Sequence, residues 1–378
     1  MGFRYLVLGT HMGRPIAHCL AEQRDTSSIL IGDINIEAAR RVVAEVSGRF
    51  PAVACGYVNF DANDPNALKK MPPVNVVISA LPARYNLFLA EAAIRRKENF
   101  CDLGGVLPVS LAMKSMDESA RSKGVSVVPD CGLMPGLGVM IARKLVEESV
   151  KDEDRDVKRE VVIYVGGLPQ KPQPPIYHQN MFSFEGLRHL CYDDAVIIKD
   201  GMIQTVAPLS GYEIFRVDEL TQFSDHFNGV VEAFITSGAG LAPWGFQGLG
   251  VTSLYEKTVR WPGFVRFIRN TSQESFEEKI SPLIDTPVDA EHPDLVWMKV
   301  EVEYGMKKLA SGMLVTYDEA LGMSAMEQTT GFTTALTARA IALGMALPGV
   351  LSPDEALTGD SLNRVIAEVG NYFLITQE

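Results

Sequence analysis

Cysteine is scarce in this 378-residue sequence: five residues, at positions 19, 55, 101, 131 and 191, with no Cys-x-x-Cys pair. That count argues against a disulfide framework and a thiolate zinc knuckle, and a reducing compartment is expected. No stretch reaches the ~18 apolar residues of a membrane span. The opening MetGlyPheArgTyrLeuValLeuGly has an apolar run of only about five residues before a glycine turn, too short for a signal peptide, so a cytoplasmic location is expected. Positive charge is also short. Lys and Arg number 35 against 47 Asp and Glu, a net charge of −12, and that field repels nucleic acid and anionic membranes. Neither is expected as a partner. The histidines, His11, His18, His178, His189, His226 and His292, contain no pair at metal-ligand spacing with a nearby carboxylate set, so no metal site is expected. SerPheGlu at 183–185 and SerAspHis at 224–226 lack a G-x-S-x-G elbow, which argues against acyl transfer.

Apolar residues make up 47% and charged residues 22%, the balance of a soluble globular chain long enough for two or three domains. Short apolar runs at 3–8, 28–32, 74–80, 100–103 and 125–129 alternate with helical periodicity at 15–23, 36–47, 86–96 and 108–123. Strands alternating with helices predict a doubly wound parallel sheet, a Rossmann-like dinucleotide-binding domain over 1–130. The mixed-charge cluster LysAspGluAspArgAsp at 151–156 reads as a solvated junction. Beyond it, longer strand-like runs at 157–166 and 297–305, with the proline-rich LeuProGlnLysProGlnProPro at 168–175, predict an α+β domain on a largely antiparallel sheet over 131–328. The helical pattern at 329–344 opens a C-terminal segment, 329–378, expected to pack back on the first domain.

The first β-α turn reads Gly9-Thr10-His11-Met12-Gly13, where a dinucleotide turn is usually spelled G-x-G-x-x-G. The outer glycines are four apart instead of five and the middle one is absent. Thr10 or His11 takes its place, depending on which outer glycine sets the register. Asp33 follows Gly9 by 24 residues and ends the second apolar run, near the spacing at which a carboxylate accepts hydrogen bonds from an adenosine ribose. A carboxylate there repels a 2′-phosphate, so NAD is expected over NADP. The competing reading of Asp33 is a cap for the helix that follows. Ser79, Ala80, Leu81 and Pro82 end another buried strand, where such sheets bind ligands.

AspCysGlyLeuMetProGlyLeuGly at 130–138 resembles the D-x-G-x-x-P-G-[LI] turn of the saccharopine dehydrogenase superfamily. TyrValGlyGlyLeuPro at 164–169, ProProIleTyr at 174–177, GluAlaPhe at 232–234, ThrValArgTrpProGly at 258–263 and ThrThrGlyPheThrThrAla at 329–335 follow in matching order. Together they look like lysine 6-dehydrogenase and its bacterial saccharopine dehydrogenase-like relatives. The resemblance implies a Rossmann domain, a second domain supplying substrate groups and a dimer surface, and NAD(P)-linked oxidation of a carbon bearing an amine. For lysine 6-dehydrogenase the products are allysine and ammonia.

Hydride leaves the ε-carbon of lysine only when its nitrogen is neutral, yet the free amine has a pKa near ~10.4, so a site must desolvate it or offer a base. Asp102 and Asp130 each end a predicted strand and are the candidates, with helix capping as the alternative for either. Cys131 is a candidate substrate neighbour, though packing is its plainer role. Arg260 suits an α-carboxylate by its guanidinium fork, with a structural ion pair as the alternative, and Lys257 is a candidate to assist the same carboxylate, though a solvated surface lysine is its plainer reading. Tyr177, His178 and Tyr255 are polar residues near the family motifs and lesser candidates for touching substrate, while Trp244 and Trp261 read as core or interface aromatics. Two further readings stand beside lysine oxidation. One is a saccharopine-type secondary-amine oxidoreductase, which needs room for two carboxylates. The other is a non-catalytic relative with an impaired cofactor turn.

Overall fold

The computed structural model describes residues 2–152, 157–179, 181 and 183–377. The side chains of the 151–156 charge cluster, read above as a solvated junction, lie outside the described residues. The chain divides into two units, Met1–Met140 with Thr330–Val369, and Ile141–Thr329 with Gly370–Glu378. The division therefore falls later than position 130. It comes inside the helix Leu137–Asp152, and the last nine residues go to the second unit.

The first unit holds strands β1 (Phe3–Leu8), β2 (Thr26–Asp33), β3 (Ala54–Asn59), β4 (Val76–Ser79), β5 (Asn99–Asp102) and β6 (Ser126–Val128). With the short strand Gly349–Val350 they form one parallel sheet in the order β3-β2-β1-β4-β5-β6-(349–350). The order reverses between β1 and β4, and in open α/β sheets ligands bind at that switch point. β4, ValValIleSer, is buried at every position, as expected of a strand covered on both faces. Helix α1 (Gly13–Glu22) starts with Pro15 in its first turn, and α2 (Ile36–Arg49) is capped by Asn35, whose side chain accepts from the Ala38 N–H. α3 (Asn86–Arg96) lays Leu89, Ala90 and Ala93 on a core with Leu6, Val77, Phe100 and Val127. The predicted helix 108–123 is two helices, Leu107–Lys114 and Asp117–Ser122. Ser115 Oγ turns back to the Ala112 carbonyl at the break, the competition with the helix ladder that serine side chains offer.

The C-terminal helix Ala325–Ala342 packs against α1 where Gly331 meets Pro15; a Cβ on Gly331 would lie 2.6 Å from the Pro15 ring. Arg339 forks onto Asp25 and Glu368 at 2.7 and 2.8 Å. These contacts give the ThrThrGlyPheThrThrAla motif a packing role.

The second unit is built on β7 (Arg159–Pro169), β8 (Ala195–Lys199), β9 (Met202–Val206), β10 (Glu213–Arg216), β11 (Val230–Ile235), β12 (Val251–Arg260), β13 (Asp294–Tyr304) and β14 (Lys307–Thr316). The sheet runs β10-β11-β12-β7-β13-β14-(375–377), with the β8–β9 hairpin beside β12. It is mixed. The β12–β7 pair is parallel and its other pairings are antiparallel. Gly166 is required on β7 because a Cβ there would lie 2.7 Å from the Val259 carbonyl oxygen. Trp261, fully buried, donates from Nε1 to the Pro169 carbonyl at 2.9 Å and stacks on Phe227 at 5.4 Å.

Candidate active site

The first unit brings the predicted cofactor residues to the carboxyl edge of β1, β2 and β4. Gly9 leaves β1 at φ +93°, and a Cβ on it would lie 2.7 Å from the Ala80 carbonyl oxygen, so the turns after β1 and β4 touch. The Ala80 N–H donates to the Leu8 carbonyl at 2.7 Å, and the Gly9 N–H to that of Gly32 at 2.8 Å. Thr10 turns its hydroxyl onto Asp33 Oδ2 at 2.8 Å, whereas His11 is exposed and Met12 half-buried. Asp33 Oδ1 accepts the Asn35 N–H at 2.8 Å. Asp33 is therefore not the cap of α2; Asn35 is.

Two features fit a dinucleotide pyrophosphate. The first turn of α1 contains no acidic residue, and its N-cap, Met12, makes no side-chain cap bond, so neither supplies a side chain that competes for an anion. Gly13 is buried, and a Cβ there would lie 3.1 Å from Val7. Of the two residues that can stand at the place of the middle glycine, Thr10 points its side chain to Asp33 and His11 is exposed.

At the ends of β5 and β6 the structure brings Asp102, Asp130 and Cys131 together. Asp102 Oδ1 accepts the Gly104 N–H at 2.8 Å and the Asp130 N–H at 3.0 Å, and Asn86 bonds the same carboxyl. Ser79 Oγ in turn donates to Asn86 Oδ1 at 2.6 Å, while Ser110 Oγ donates to Asp130 Oδ1 at 3.0 Å. Both aspartates are buried. Burial first, and the neighbouring Asp130 charge second, push the Asp102 carboxyl up to about 7. Asp130 sits at φ +67°, and Gly104 leaves no room for a Cβ against it. Cys131 is fully buried, donates to the Val128 carbonyl at 3.1 Å, and is held well above the usual thiol range, chiefly by burial. It is a packed thiol, not a nucleophile.

The D-x-G-x-x-P-G-[LI] motif now has a physical cause. Gly136, at φ +134°, lies so close to the Gly132 backbone that a Cβ would overlap its carbonyl oxygen, and the Leu137 N–H bonds that same oxygen at 3.0 Å.

In the second unit, the two-residue alternation of β12 separates the predicted substrate groups. Glu256, Thr258 and Arg260 share one face; Tyr255 and Lys257 take the other. Lys257 therefore does not assist Arg260, and its Nζ pairs with Glu213 at 2.6 Å. Tyr255 packs against the small cluster of Ala195, Ile197 and Ile235. Tyr177 stacks on His226 at 6.2 Å and borders Gly263. Trp244 is half-buried.

Arg260 is buried, with Nη1 donating to the Val259 carbonyl at 2.8 Å, its guanidinium 5.5 Å over Phe264, and Nε without a protein partner. Burial lowers it to about 10. His178 meets the edge of the same Phe264 ring and is held well below its ordinary range by burial and by the Arg260 charge.

Sequence reasoning missed Asn86, Ser110, Glu256 and Thr236. Glu256 is fully buried, bonded by the Thr236 and Thr258 hydroxyls, and pushed by burial to about 7. The signal was present, because reading 251–260 with period two puts Glu, Thr and Arg on one face of a strand with Leu254. The link from Ser79 to Asn86 had none, since it depends on how α3 enters.

Residues 6–128 match the family described as saccharopine dehydrogenase NADP binding domain, and residues 132–374 match saccharopine dehydrogenase C-terminal domain. The Saccharomyces cerevisiae saccharopine dehydrogenase [NADP(+), L-glutamate-forming] is 26% identical over 211 residues, 55% of this chain and 44% of that protein. The Pyricularia oryzae protein of the same name is 29% identical over 175 residues, 46% of this chain and 36% of that protein. The matched segments thus span less than half the length of these curated relatives. Apo histidine-tagged saccharopine dehydrogenase (L-Glu forming) from Saccharomyces cerevisiae superposes with a TM-score of 0.74 over 100% of this chain and 99% of that one, at 17% identity, which is a likeness of fold. Turn geometry, motif order and both domain matches agree: the chain belongs to the saccharopine dehydrogenase family.

Proposed function

We propose that the chain is an NAD(P)-linked oxidoreductase that oxidises a nitrogen-bearing carbon of an amino acid, with NAD preferred and the ε-amine of L-lysine as substrate. The observation that carries this reading is the buried Asp102–Asp130 pair at the carboxyl edge of a sheet whose switch-point turn suits a dinucleotide. Gly9, Thr10, His11, Met12 and Gly13 would border the pyrophosphate, Asp33 the adenosine ribose, and Ser79, Ala80, Leu81 and Pro82 the end of β4 beside them. The dinucleotide, when bound, supplies the hydride acceptor.

The chain's own part is proton handling and placement. A lysine ammonium first gives a proton to the aspartate pair, where a carboxyl near 7 accepts it at neutral pH. The neutral amine then loses hydride from its ε-carbon and becomes an iminium. Water adds, the carbon–nitrogen bond breaks, and allysine and ammonium leave. Among the described residues of the second unit, Arg260 is a buried guanidinium with an unmet Nε, the candidate group for an α-carboxylate, while Arg159 is taken up by Ser149 and the Val157 carbonyl.

The names of the relatives favour a second reading, oxidation of the secondary amine of saccharopine. The test is reduction of NAD⁺ and NADP⁺ by purified protein, followed at 340 nm with lysine or saccharopine. Lysine-dependent reduction of NAD⁺ is expected. Activity with saccharopine alone would replace the first reading with the second, and activity with neither, in folded protein, would overturn both.

A further inference from the structure

The shortened turn carries, directly after Gly9, a threonine that does something a glycine does not. Thr10 Oγ1 donates to Asp33 Oδ2 at 2.8 Å, and the Asn35 N–H donates to Asp33 Oδ1 at 2.8 Å. The carboxylate is thereby held at both oxygens. Each oxygen keeps a second lone pair, the acceptors a ribose diol needs. Threonine suits the task because its β-branch restricts χ1, so the hydroxyl is aimed by the backbone of the turn. That turn is itself fixed: Gly9 is tied to Gly32 by its N–H and pressed against Ala80, while the Arg14 N–H bonds the Thr10 carbonyl at 3.0 Å.

We propose that Thr10 is a specificity-determining residue, which fixes the Asp33 carboxylate so that its charge faces the adenosine ribose and rejects a 2′-phosphate. The proposal rests on the reading of Asp33 as the ribose-binding group. Thr10 is a positioning residue here, acting through Asp33. It also gives the side chain in the shortened turn a role without invoking lost function: it carries the hydroxyl that sets cofactor choice.

The test is calorimetric titration of the full chain with NAD⁺ and with NADP⁺, which needs no turnover. Thr10→Val keeps the shape and removes the donor, Thr10→Ser keeps the donor, and Asp33→Ala removes the carboxylate. The wild-type chain should bind NAD⁺ more tightly. Thr10→Val should reduce the NAD⁺-to-NADP⁺ affinity ratio by about tenfold, the scale of one hydrogen bond to a charged group, while Thr10→Ser stays within about twofold of wild type. A general loosening of the turn would weaken both cofactors alike and leave the ratio unchanged. If Thr10→Val does not fold, Thr10→Ala serves the same comparison. A ratio that collapses in Asp33→Ala but is unmoved in Thr10→Val overturns the role of Thr10 and leaves the ribose reading standing. A ratio unmoved even in Asp33→Ala overturns the ribose reading and this proposal with it, as does a wild-type chain that prefers NADP⁺ or binds neither.

Discussion

At the scale of single residues, two positions decide whether the proposed chemistry has a site. Gly9→Ala would combine φ +93° with a Cβ 2.7 Å from the Ala80 oxygen, so it should lower the melting temperature and abolish dinucleotide binding, both measurable by calorimetry. Asp102→Asn removes a carboxyl that titrates near 7, and turnover at saturating cofactor should fall by about 100-fold or more, with loss of the rising limb of the pH–rate profile near neutrality. Full activity in Asp102→Asn and in Asp130→Asn would remove the pair from the mechanism. Both aspartates were legible in the sequence because each follows a short apolar run. What surrounds them was not. Asn86 and Ser110 reach the pair from helices whose approach no local pattern records.

At the scale of elements, periodicity served well where burial is one-sided or complete, as in β1, β4, α2 and α3. It failed for β3, AlaCysGlyTyrValAsn, which carries a glycine and is exposed or half-buried throughout, so no apolar run marks it. The faces of β12 are the instructive case. Arg260 and Lys257 are three apart, which looks close in sequence, but an odd separation in a strand means opposite sides. The motif around Arg260 also carries the anchor of the second sheet. Trp261→Ala would empty a fully buried site and orphan the Pro169 carbonyl, and the expected loss is about 3–5 kcal/mol, read by denaturant unfolding.

At the scale of the whole molecule, buried carboxylates give stability a particular pH dependence. Glu256 and Asp102 are raised to about 7, and Asp294 to about 6, in each case chiefly by burial. A carboxyl raised in the folded state keeps its full contribution below the ordinary carboxylate range. The contribution is lost as pH rises through the folded value. Glu256→Gln removes one such group, so its melting temperature should gain on wild type by a few degrees between pH 5 and pH 8, as followed by scanning calorimetry. A difference independent of pH would show that Glu256 is already ionised in the fold. Among the described residues no helix is long and apolar enough to cross a membrane. The alternation of strands and helices made the two-domain plan legible, and the family motifs lie in both units. The division at 140 and the return of 370–378 to the second unit were not legible, because a helix carries no mark where it passes from one core to another.

The parallel sheet of the first unit is completed by Gly349–Val350, which pairs with β6 through Ser126 and Val127. Synthesis from the N-terminus delivers that strand more than two hundred residues after the edge it covers. Until then β6 presents open backbone groups, and α1 lacks the helix that meets it at Gly331. The nascent first unit can therefore complete its sheet only after strands β7 to β14 of the second unit have been synthesised.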